Sequence, residues 1–70
     1  MNEDILKGKW VQVRGDAKKM WGKLTDDDLE QINGDKDKLI GILQERYGYN
    51  RQQAHQEYDR FNKEYVSRNS

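Results

Sequence analysis

Seven apolar residues in the first third of this 70-residue chain, Leu6, Trp10, Val13, Ala17, Met20, Trp21 and Leu24, follow one another in steps of four, three or one. At ~100° per residue they fall on a stripe about 100° wide, the width of one core-facing side of an α-helix. A strand would need strict alternation, which is absent. Gly8, Gly15 and Gly22 sit on the opposite side of the same wheel, and each costs ~1 kcal/mol relative to Ala inside a helix. The stripe predicts one helix running through to Leu24, with Gly15 and Gly22 as the places where it would bend or break. The glycines are either small residues tolerated on a helix or a smooth patch that another backbone approaches closely.

The stretch Leu24-Thr25-Asp26-Asp27-Asp28-Leu29 carries the signals of a helix start. Thr25 at the N-cap and Asp28 three residues on form a capping box, with Leu24 and Leu29 at the hydrophobic-staple positions. Three carboxylates in the first turn suit the positive end of the helix dipole. A short second helix should run to about Asn33, with Gly34 as its left-handed stop. A third should start near Asp35, carry Leu39, Ile40, Ile42, Leu43 and Tyr47, and end at Gly48, with Tyr49 folding back towards Leu43. Asn50 and Gln53 then cap a fourth, whose Ala54, Tyr58, Phe61 and Tyr65 share one face. The core should span about residues 5–66 of one domain covering 1–70, with a frayed tail from Ser67 to Ser70. The expected architecture is all-α: a small four-helix domain of two short helical hairpins packed at an angle, because the linkers allow only sharp corners.

The apolar supply is thin. Leu, Ile, Val and Phe are 13 of 70 residues, a level associated with disorder when the net charge is high. Here 13 basic residues cancel 13 acidic ones, and two Trp and four Tyr add large buriable rings, so the chain should fold. Without staples a core this small supplies ~3–5 kcal/mol.

Little chemistry can be assembled from these residues. Cysteine is absent, which excludes disulfides, thiolate metal sites and a cysteine nucleophile. No apolar run approaches the ~20 residues of a membrane span, and the acidic Met1-Asn2-Glu3-Asp4 start predicts no secretory signal peptide. His55 is the only histidine, and the only serines are Ser67 and Ser70, so no catalytic residue is expected and His55 reads as a boundary side chain. A calcium loop beginning at Asp26 would have Gln31 where Gly is required, and one beginning at Asn33 would have Lys38 there. No metal or cofactor is expected. The glycines match neither dinucleotide-binding nor Walker spacing.

The neutral total hides a segmental pattern. Residues 1–24 carry six basic and three acidic groups, 25–37 one and six, and 38–70 six and four. Lys7, Arg14 and Lys18, with Val11, line a strip flanking the Trp10 and Trp21 edge of the apolar stripe. Lys7, Arg14, Lys18 and Trp21 form the candidate partner surface, while the two indoles read as core anchors before stacking platforms. A basic strip next to aromatics is the minimal footprint of a nucleic-acid or anionic-surface module. The competing reading is a solvated face whose charges pair with the Asp-rich second helix. It is the simpler one, since phosphate binding draws on more net positive charge.

Several motifs carry a family resemblance. Gly8-Lys9-Trp10-Val11-Gln12-Val13-Arg14-Gly15, then Met20-Trp21-Gly22-Lys23-Leu24-Thr25-Asp26-Asp27-Asp28, Asn33-Gly34-Asp35, Leu39-Ile40-Gly41 and Gln44-Glu45-Arg46-Tyr47-Gly48-Tyr49 resemble the CsbD-like family of small bacterial general stress-response proteins. The closest likeness is to its YjbJ-type branch, over roughly residues 3 to 58. The resemblance implies a cytoplasmic, non-enzymatic, all-helical domain of two hairpins packed crosswise that accumulates under general stress, with no cofactor. It implies no molecular activity. Beside it, the charged surface leads us to expect action by surface interaction, with other proteins or by self-association.

Overall fold

The computed structural model describes residues 3–66. Four α-helices are formed in order: α1 (Glu3–Met20), α2 (Asp26–Ile32), α3 (Lys36–Tyr47) and α4 (Arg51–Phe61), the last running on into a π-helical turn over Asn62–Val66. No strand occurs among the described residues. The expected Ser67–Ser70 tail lies outside them.

α1 is continuous through Gly8 and Gly15 and ends at Met20, so the stripe's run to Leu24 is interrupted at the second of the two expected break points, Gly22. The last helical bond runs from the Trp21 N–H to Ala17 O at 2.8 Å, and the Leu24 N–H then closes a turn on Trp21 O at 3.0 Å. The break has two causes. Gly22 adds the backbone freedom that makes leaving a helix cheap. Thr25 must also be extended (φ −88°, ψ 168°) to cap α2. Trp21 and Leu24 therefore reach the core from a turn, each at most 2% exposed, and the periodicity past Met20 reflects burial without helix.

The remaining caps follow the sequence closely. The Thr25–Asp28 box opens α2, Asp35 accepts from the Lys38 N–H to open α3, and the Asn50–Gln53 box opens α4. Gly48 ends α3 at φ 70°. At the end of α2 the left-handed turn begins one residue early, at Asn33 (φ 44°), and continues through Gly34 (φ 80°). Asn tolerates that region better than most residues. Gly34 has a second constraint: a Cβ there would lie 2.5 Å from Lys7 Cα. The close backbone approach thus occurs at Gly34, whereas Gly8, Gly15 and Gly22 have nothing within 4 Å of a built Cβ.

α3 packs against α2 on one side and α4 on the other, and the π-helical turn closes the molecule by packing against α1. The core between them holds Leu6, Trp10, Val13 and Ala17 from α1, Leu29 and Ile32 from α2, Leu39, Ile40 and Leu43 from α3, and Ala54, Tyr58 and Phe61 from α4. Val66 joins from the π-helical turn.

Candidate functional site

The densest polar cluster is the corner where α2 begins. The Asp28 N–H donates to Thr25 Oγ1 and the Thr25 N–H to Asp28 Oδ2, both at 3.1 Å. From α3, Arg46 clamps the same carboxylate through Nε to Oδ2 and Nη2 to Oδ1, each 2.9 Å. This is the bidentate geometry that planar guanidinium suits. The Asp28 side chain is 5% exposed and that of Arg46 42%. The adjacent guanidinium, helped by Thr25, holds the Asp28 carboxyl down to about 2 from its ordinary 3.8, against burial, which pushes the other way. The carboxylate in turn raises the Arg46 pKa.

Beside the clamp, Tyr47 Oη accepts from the Lys23 N–H at 3.1 Å, the Lys23 ammonium lies 5.2 Å over the Tyr47 ring, and Tyr49 stacks on Tyr47 at 5.2 Å and 10°. Thus Lys23 and Asp28 of one sequence motif meet Arg46 and Tyr47 of the other. Their pairing fastens the Trp21–Thr25 turn and α2 to the end of α3. That is a structural function, since every acidic oxygen of Asp28 is occupied by this chain's own donors.

The two indoles are spent inside. Trp10 is 3% exposed, and its Nε1–H donates to Leu29 O at 3.1 Å. Trp21 is 1% exposed, its Nε1–H points at Glu57 Oε1 at 3.3 Å, and its ring lies 5.0 Å from that of Phe61. Trp21 therefore stands in the core and supplies no accessible ring to the candidate surface of Lys7, Arg14 and Lys18. The cause is the end of α1: the chain turns inward one residue after Met20. Lys7 and Lys18 are exposed and Arg14 half-buried on the outward side of α1. Lys18 Nζ is paired with Asp26 Oδ1 at 2.7 Å, a bond that lowers the Asp26 pKa. The Asp-rich helix thus compensates one end of the strip within the chain. Val11, 83% exposed, is the large apolar residue standing on that side.

His55 is half-buried on α4. No group of three or more His, Cys, Asp or Glu among the described residues is arranged to hold a metal ion. No helix of the described chain is long and apolar enough to cross a membrane. An open groove of about 440 Å³ runs between α2 and α3, lined by Gln31, Lys38, Gly41, Ile42 and Glu45. Sequence reasoning passed over this groove, and it also missed the Arg46 clamp. The outward spacing of Lys38, Gly41, Ile42 and Glu45 was the available signal for the groove.

Comparison with known proteins places these features in context. A family model described as CsbD-like matches residues 4–56. The UPF0337 protein YjbJ of Escherichia coli O6:H1 is 51% identical over 63 residues, covering 90% of this chain and 91% of that protein. UPF0337 proteins ECA0631 of Pectobacterium atrosepticum and PA4738 of Pseudomonas aeruginosa are 54% and 53% identical over 57 residues. Each covers 81% of this chain, and 83% and 88% of their own lengths respectively. No solved structure gives a significant match.

Proposed function

The chain belongs to the CsbD-like family, and from that premise we propose that it is a non-catalytic protein of the bacterial general stress response, working in the cytoplasm through its charged surface. The observation that carries this reading is where the reactive-looking groups are spent. Asp28, the carboxylate with the deepest pKa shift, is consumed by the Arg46 clamp, and both indole N–H groups are turned to acceptors within the chain. An active site would hold such groups ready for a substrate. What remains outside is a mosaic of Lys, Arg, Asp and Glu of zero net charge, suited to many weak encounters.

The alternative is a nucleic-acid or anionic-surface module on Lys7, Arg14 and Lys18. Counterion release would then make binding fall steeply with salt. The Lys18–Asp26 pair argues against it, because a phosphate would have to compete with a carboxylate already 2.7 Å away.

Two measurements test the proposal. Protein abundance should rise when cells enter stationary phase or osmotic stress, and a deletion strain should survive such stress less well. Survival should return with wild type and equally with His55→Ala. Abundance that does not respond to stress removes the physiological half. Rescue that needs His55 removes the non-catalytic half. A pull-down at low and high salt, scored for nucleic acid against protein, separates the alternative.

A further inference from the structure

The groove between α2 and α3 carries charges of opposite sign in a symmetric order. Lys38, Gly41, Ile42 and Glu45 are spaced i, i+3, i+4 and i+7, so they form one outward ridge of α3. Leu39, Ile40 and Leu43 point to the core from the opposite side of that helix. Gly41 lies inside the helix, where glycine is the poorest former after proline. A Cβ there would meet nothing within 4 Å, so nothing inside this chain requires glycine. Ile42 beside it is only partly covered. Lys38 and Glu45 make no ion pair among the described residues.

The order of these residues is self-complementary. The midpoint of the ridge falls between Gly41 and Ile42, and Lys38 and Glu45 lie equally far from it on either side, ~5 Å along the axis. We propose that the outward ridge of α3 is a self-association surface, on which a second copy of this chain packs its own α3 antiparallel about a twofold axis passing between Gly41 and Ile42. In that arrangement Lys38 of each copy faces Glu45 of the other. Gly41 lets the two backbones approach, and Ile42 of each copy seats in the groove of its neighbour beside Gln31. A twofold contact needs a patch complementary to itself, and opposite charges at equal distances from the axis satisfy that condition. The outward side of α1 also carries open glycines, but Lys7 and Lys19 there have the same sign, so that side lacks the opposite charges at equal distances that a twofold contact needs.

One ridge of a twelve-residue helix is small beside the ~1,200–2,000 Å² that stable complexes bury. The pair is therefore weak and fills with concentration, as would occur in a protein made in quantity. The inference does not depend on the stress reading, because its test is made on purified protein.

Sedimentation velocity over a concentration series up to the millimolar range is the decisive experiment. Wild type should shift from monomer to dimer. Lys38→Glu and Glu45→Lys should each weaken the dimer at least ~10-fold, since each places like charges opposite one another twice. An equimolar mixture of those two variants should pair again, because their ridges are wholly acidic and wholly basic. Gly41→Gln should raise the thermal midpoint, having space for its side chain, while abolishing the dimer, which separates association from folding. Wild type that stays monomeric throughout overturns the proposal. So do charge reversals without effect, or a mixture that fails to pair.

Discussion

The corner where α2 begins and the turn where α4 ends each bury one polar side chain, Asp28 and Asn62, and they are held by different forces. At the corner the polar atoms are matched: Asp28 receives Thr25 and both arms of Arg46, and Tyr47 receives the Lys23 N–H. At the far end, Tyr58 Oη and Asn62 Oδ1 are buried without a hydrogen-bond partner among the described residues. Apolar contact holds that end, with Phe61 lying 5.0 Å from Trp21 and 5.4 Å from Tyr65 between ring centroids. The helix there widens into the π-helical turn, where the Asn62 N–H is shared between Tyr58 O and Asp59 O. An unmatched buried polar atom costs ~1–3 kcal/mol, so the end is stable only because its rings repay that. The family match stops at residue 56, covering the matched corner and leaving out the π-helical turn. Polar pairing gives the corner one geometry, whereas ring packing dominates at the end, beside the exposed Arg60–Glu64 pair.

If that contrast is correct, apolar truncation should hurt the end more than polar truncation hurts the corner. Phe61→Ala should cost ~3–5 kcal/mol, about the whole ~3–5 kcal/mol reserve of so small a core. Circular dichroism should find it largely unfolded at room temperature. Arg46→Ala should cost clearly less than Phe61→Ala in urea unfolding, because the guanidinium is partly solvated.

Acid should reach the corner through Asp28. Its folded pKa lies below its unfolded one, so the stability from its ionised form is complete above about 3.8 and lost as pH falls towards about 2. The stability difference between wild type and Asp28→Asn should therefore shrink over that window, read by chemical denaturation at stepped pH. A difference that stays constant from neutral pH to about 2 would remove the clamp from the account. Thr25→Ala, which deletes only the cap acceptor, should cost ~1 kcal/mol. The smallest effect should have the opposite sign. Tyr58→Phe removes an unmatched hydroxyl and should leave stability unchanged or raise it by up to ~1 kcal/mol. A loss larger than that would sink the contrast.

Interactions between near neighbours could be read directly from the chain. The stripe of α1, the Thr25–Asp28 and Asn50–Gln53 boxes and the stop at Gly48 all join residues a few positions apart, where helix geometry alone puts them in reach. The candidate site was less legible. Lys7, Arg14 and Lys18 lie on α1, and Trp21 stands in the core where the apolar stripe placed it, not at the candidate surface, because burial keeps the same spacing across a turn as along a helix. Other features needed partners distant in sequence. The Arg46 clamp spans 18 residues, the Tyr47 bond 24 and the Trp21–Glu57 contact 36. Gly34 is constrained by the backbone of Lys7, which no local pattern announces. Periodicity and capping chemistry settled which helices this sequence makes. Only the packed fold settled which charges are consumed inside it, because a hydrogen bond a few ångströms long is met or missed by the placement of whole helices.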